Sequence, residues 1–259
     1  MINFMNTMQK TLYTLIFTPR FHLSDSTLVG IEVKIKQGQR ILSSFDGFRL
    51  IQSGNGADLL EQIKLHLPQW CEKADMPLHL SWELCGKVNP VDLKLFFDEL
   101  ALFLPLSQME IVFDAHDLST KDALDNAQRI FESLPDRRIR RGIFHSRPFE
   151  FNPDEISGCI DLLKLKKGVI REIKEDMSAA YQCHAFIENL NTKNIEIVAD
   201  DLYSKSDVTC AILMGIRYGQ GYFLSRNQMP QKVTKTLKKR PGSDDYERRF
   251  DCFQDVAWI

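Results

Sequence analysis

Gly219-Gln220-Gly221-Tyr222-Phe223-Leu224-Ser225-Arg226 is the stretch on which the reading of the fold turns, and its meaning depends on what stands before it. Working back from it, short β-rich runs alternate with helical patterns. Ile195 to Ala199 reads as a strand, and Val208, Ile212 and Gly215 beyond it suit a short helix with a glycine stop. Val169 to Asn189 reads as helical. Leu162 to Leu165 and Gly142 to Phe144 are strand candidates, and a helix is expected from Lys121 to Leu134 with Leu124, Ala127, Ile130 and Phe131 inward. Met109 to Phe113 and Leu78 to Trp82 read as short buried strands. Between them Asn89-Pro90 makes a helix start: a capping side chain, then proline at the first helical position, with Phe96, Phe97 and Leu100 as the buried stripe. Leu59, Leu60, Ile63 and Leu67 recur at helical spacing. Leu12 to Phe17 and Thr27 to Lys36 read as two strands, and their short linker, Arg20 to Ser26, predicts an antiparallel pair. Repeated β-then-α units favour a parallel sheet with helices outside, and this many strand candidates at this length make a barrel the leading architecture.

Composition fits that reading. The chain has 259 residues, 44% hydrophobic and 26% charged, as in ordinary globular proteins. A net charge of -2 makes no demand for nucleic acid or an anionic membrane. No apolar run approaches the roughly 20 residues that span a bilayer. The patch Leu12 to Phe17 is followed by Pro19-Arg20 and lacks the core and cleavage site of a signal peptide, so a cytoplasmic location is expected. Cys71, Cys85, Cys159, Cys183, Cys210 and Cys252 form no Cys-x-x-Cys pair, so reduced thiols are expected and no zinc cluster follows from local spacing. The run Lys232, Lys235, Lys238, Lys239 and Arg240 ends at Pro241-Gly242, and reads as a solvated helix face before a mixed-charge piece and an apolar end, Phe253 to Ile259. A barrel is expected over 1–236 and a C-terminal tail over 237–259.

The order and spacing of several short motifs resemble the EAL domain, the fold that hydrolyses cyclic di-GMP, over residues 12 to 233. The opening stretch resembles that domain's end. Phe17-Thr18-Pro19 resembles its aromatic-Gln-Pro start, and Gly30-Ile31-Glu32-Val33-Lys34 sits where the family has Gly-Val-Glu-Ala-Leu. Glu110-Ile111-Val112-Phe113 resembles Glu-Ile-Thr-Glu and keeps the first glutamate. Leu163-Lys164-Leu165-Lys166 resembles Leu-Lys-Ile-Asp. The resemblance implies an α/β fold, a (β/α)₈ TIM-like barrel with an antiparallel first strand.

The same resemblance marks losses. His79 takes the place of a metal-binding asparagine. Ile143-Phe144-His145-Ser146-Arg147-Pro148 falls on the Asp-Asp-Phe-Gly-Thr-Gly loop without a match, and Tyr203 takes the place of the final catalytic glutamate, while Gln220 is retained. Two-metal phosphodiesterases use a pair of divalent ions to activate water and steady the phosphoryl oxygens, and hard cations need several oxygen ligands. Only Glu32 and Glu110 are counted as surviving carboxylates. Asp114, Asp117, Asp200 and Asp201 are weighed as substitutes. Glu32, His79, Glu110, Ile143, Phe144, Lys164, Tyr203 and Gln220 are therefore read as vestigial positions, with no cofactor, no metal and no catalysis expected. Glu32 with Lys164 is read first as a neutralised buried pair. A zinc site from His79, His145 and Glu110 is a lesser alternative.

A barrel so altered resembles the degenerate enterobacterial group typified by YdiV. That likeness implies a protein partner, the FlhD subunit of the flagellar activator FlhDC, and repression of motility. The alternatives are a cyclic di-GMP receptor using Glu32, Lys36 and Gln220 without hydrolysis, and a working phosphodiesterase.

Overall fold

The computed structural model describes residues 13–43, 79–84, 109–114, 139–145, 160–166 and 168–225, with scattered positions between 46 and 132. Its strands are β1 (Tyr13–His22), β2 (Leu28–Gln37), β3 (Arg40–Ile41), β4 (His79–Leu84), β5 (Met109–Asp114), β6 (Arg140–His145), β7 (Leu162–Leu165), β8 (Glu196–Ala199) and β9 (Tyr218–Gln220). Three helices are described through their length: α1 (Val169–Glu175), α2 (Met177–Thr192) and α3 (Lys205–Leu213).

The strands join in the order β1-β9-β8-β7-β6-β5-β4-β2-β3, and β1 also pairs with β2. That last pairing closes eight strands into a barrel and leaves β3 as the tip of a hairpin. β1 runs antiparallel to both its neighbours, β2 and β9, while all pairings from β2 through β4 to β9 are parallel. The class is a (β/α)₈ barrel with one reversed strand, as the linker length predicts.

Alternation along each strand sends successive side chains to opposite faces. Outward residues of β6 to β8, Ile143, Leu163, Leu165, Ile197 and Ala199, pack with Ile170, Ile173, Cys183, Ile187, Leu190, Val208 and Ala211 of the helices in one buried cluster. Burial at about 1.5–3 kcal/mol per large aliphatic side chain makes this layer the main support of the described barrel wall. Inward residues Val112, Leu162 and Val198 are fully buried, with Phe144 and Tyr218 packed against them, and they plug the lumen.

Several boundaries differ from those the sequence predicts. β1 continues past Phe17 to His22 through Pro19. β9 pairs with β1 only from Arg20 onwards, so the missing proline N–H falls where β1 has β2 alone beside it. The segment read as helical from Val169 to Asn189 is two helices, because Asp176 is extended (φ -128°, ψ 113°) and its side chain accepts from Ser178 N–H to start α2. α3 has a capping box, Ser204 with Asp207, and stops at Gly215 (φ 82°) as expected. Asn89 accepts from Val91 N–H at 3.0 Å, the predicted cap. Of the helix expected over 121–134 only three positions are described, and there Phe131 meets Phe113 edge-on at 5.1 Å. The stretches 146–159 and 226–259 lie outside the described residues, and with them Ser146, Arg147, Pro148, Asp117, the basic run and the tail division at 237.

Candidate functional site

Catalytic and binding groups of such barrels gather at the C-terminal ends of the parallel strands. Here that mouth holds a knot of charge. Lys164, next to last in β7, has its ammonium across the lumen against Glu32 of β2, 2.6 Å from Glu83 of β4 and 3.3 Å from Asp200, which directly follows β8. Lys34 Nζ stands 3.0 Å from the other oxygen of Glu32. Gln220, the last residue of β9, donates from Nε2 to Glu32 Oε2 at 2.6 Å and to Asp200 Oδ1 at 3.0 Å. Glu32, Lys164 and Gln220 are each 0% exposed.

The glycines of the opening stretch hold Gln220 in place. A Cβ at Gly221 (φ 149°) would lie 2.2 Å from the backbone nitrogen of Leu202, and one at Gly219 would lie 2.6 Å from the Leu202 side chain. Leu202 N–H donates to Gln220 O, and Phe223 N–H to Leu202 O. The backbone passes so close that only glycine fits on either side of Gln220.

Electrostatics at the mouth are uneven. Burial opposes ionisation of Glu32, but the Lys164 and Lys34 ammoniums outweigh it and hold that carboxyl well below the usual range. Glu83 goes the other way: burial and then the Glu32 charge push it up to about 7, against the pull of Lys164. Burial disfavours charge on Lys164, yet the surrounding carboxylates of Asp200, Glu32 and Glu83 raise its pKa. The Glu32 charge likewise raises Lys34. Beneath the knot lies Phe144, its ring centroid 4.6 Å from Lys164 Nζ and 5.1 Å from Lys166 Nζ.

The opposite end of the barrel holds a second cluster. Arg20, on the reversed β1, reaches across the lumen to Glu110 of β5 at 2.6 Å. Arg140 of β6 meets the other Glu110 oxygen at 2.9 Å and Glu196 of β8 at 2.8 Å. Burial opposes ionisation of Glu110, but Arg20 and Arg140 outweigh it and lower its pKa. His79, the first residue of β4, has its pKa lowered by burial first, with Arg140 and Arg20 adding to that against the pull of Glu110.

The predicted positions therefore divide. Glu32, Lys164 and Gln220 meet at the mouth, and the expected buried Glu–Lys pair is there. His79 and Glu110 do not join them: they face inward, but at the first and second positions of their strands, at the N-terminal end. Ile143 points outward into the helix layer, and the inward residue is Phe144, one further on. Tyr203 is exposed on the approach to α3 and stacks on Tyr222 at 6.1 Å. The zinc alternative fails on topology, because His79 begins β4 and His145 ends β6, at opposite ends of strands separated by β5. Of the four aspartates weighed as substitutes, Asp200 lies at the mouth, engaged by Lys164 and Gln220, and Asp201 adopts a left-handed backbone (φ 62°) beside it. The sequence reading missed Glu83, which alternation would have found: it lies four residues from His79 on the same face, near the mouth end of β4. Lys36 lies outside the knot and bonds Gln39 at 3.2 Å.

No protein-family model matches this chain, and no curated protein matches it. Solved structures do. PaMucR phosphodiesterase in complex with cyclic di-GMP is similar with a TM-score of 0.67 at 15% identity, over 85% of this chain and 94% of that one. The FimX EAL domain of Xanthomonas citri in complex with cyclic di-GMP gives 0.64 at 15% identity, over 89% and 91%. The EAL enzyme Bd1971 bound to cAMP and cyclic di-GMP gives 0.66 at 15% identity over 87% of this chain, which spans 65% of that structure's length. The fold is that of the EAL domain. Among the described residues no helix is long and apolar enough to cross a membrane.

Proposed function

We propose that this chain is an EAL-fold regulator that does not hydrolyse cyclic di-GMP and acts by binding another protein. The observation that carries this reading is the Lys164 ammonium standing between Glu32, Glu83 and Asp200. Each oxygen of Glu32 is engaged by an ammonium or an amide, and Asp200 by Lys164 and Gln220. These carboxylates do not fit a pair of divalent ions, which need several oxygen donors each. Phe144 lines the lumen below Lys164 and offers no donor. Catalysis by a water activated on two ions has no support in such an arrangement.

The partner proposed is the FlhD subunit of FlhDC, with repression of flagellar genes as the outcome; this rests on the resemblance described above. Incubation with cyclic di-GMP and Mg²⁺ or Mn²⁺ tests the first half: the expected result is no turnover, and turnover abolished by Glu32→Ala overturns it. Capture of purified FlhD tests the second. Calorimetry with cyclic di-GMP tests the receptor alternative, which requires Glu32 and Gln220 to leave the bonds they make here; heat at micromolar ligand would favour it.

A further inference from the structure

We propose that Arg20 is a positioning residue for the mouth: its guanidinium donates to the amide oxygen of Gln220 and so fixes which way that amide faces. This goes beyond the regulatory reading and holds whether or not the chain binds a partner. Arg20 and Gln220 are Cα partners in the β1–β9 ladder, both buried and both turned into the lumen. Gln220 Nε2 donates to two carboxylates. Carboxylates only accept, so the nitrogen must face them, and Oε1 is left needing a donor. Among the described residues Gln220 Oε1 has no hydrogen-bond partner, and neither have Arg20 Nε and Nη2. Arg20 spends Nη1 on Glu110, which leaves one edge of its planar fork available beside the one buried amide oxygen of its register partner. Buried donors and a buried acceptor on register partners that both face the lumen are placed to close on one another, because each unmet group carries a desolvation penalty. A flipped amide would set oxygen against carboxylate and nitrogen against guanidinium.

The bond makes one interior thread of the two charged ends: Glu110, Arg20, Gln220, Glu32, Lys164. Ser81 and His79 are the competitors for Arg20, since the buried Ser81 hydroxyl and His79 Nδ1 also have no hydrogen-bond partner among the described residues.

Nitrogen-15 spectra of the full chain test this through the Arg20 Nε–H signal. Gln220→Leu is expected to speed exchange of that proton about tenfold, with Ser81→Ala leaving it within about twofold. Arg20→Lys should keep the Gln220 amide in one orientation, and Arg20→Met should lose it. In the unaltered protein, a cross-relaxation contact between Arg20 Nε–H and the Gln220 side chain is expected, which keeps the test decisive if a variant fails to fold. The proposal is overturned if that contact is missing, or if Ser81→Ala and not Gln220→Leu moves the Arg20 signal.

Discussion

The two ends of the barrel are built from the same kinds of side chain and solve different problems. At the N-terminal end two arginines, Arg20 and Arg140, meet two carboxylates, Glu110 and Glu196. Charge there is matched, and His79 is held towards its neutral form. At the C-terminal mouth, among the described residues, Lys34 and Lys164 face three carboxylates, Glu32, Glu83 and Asp200. There burial, and then the Glu32 charge, push Glu83 up to about 7. A buried cluster whose acids stay ionised serves as a structural floor; one that holds a proton near neutrality has the character of a site. Two electrostatic regimes thus share one lumen.

The strongest way to break this contrast is Lys164→Met. It would strand fully buried Glu32 with Glu83 and Asp200, and should cost about 3–5 kcal/mol in chemical denaturation. Glu110→Gln at the other end strips both arginines of their shared charge but keeps the shape; about 3 kcal/mol is expected from the same measurement. Equal losses would say that the ends are equivalent.

Acid and base separate them further. Glu110 and Glu32 have folded pKa values below their unfolded ones. Their stabilisation is present above the unfolded carboxylate range, near 4.3, and is lost as pH falls through the depressed values. Glu83 has its folded pKa raised, so its stabilisation is present below about 4.3 and is lost as pH rises through about 7. Glu83→Gln should therefore flatten a decline of about 2 kcal/mol between pH 5 and 8 in thermal melts, and a slope left intact would return Glu83 to an ordinary surface acid. The smallest effect is expected from Tyr203→Ala, within about 0.5 kcal/mol, since that ring lies outside both clusters.

Much of the fold was legible because strand order needs only apolar runs and breaks. The long wall strands, the Asn89 cap, the Gly215 stop and the reversed first strand all follow from local chemistry. Depth along the lumen was not legible in the same way. His79 and Glu110 occupy inward positions, but a residue at the start of a strand and one at its end share a face and are separated by the height of the barrel. Glu83 was passed over for that reason, although its parity with His79 was on view. Ile143 and Phe144 are read as a pair, and in a strand one residue exchanges lumen for helix layer, so only Phe144 faces inward. β9, of three residues, is too short for periodicity to reveal, and Arg20 fell in what read as a linker.

Two lysine ammoniums stand over the Phe144 ring. An aspartate engineered there would meet Lys164 and Lys166 before any ion from solution, and would add one more internal pair. A single carboxylate placed at this position would thus be neutralised by the lysines already beside it.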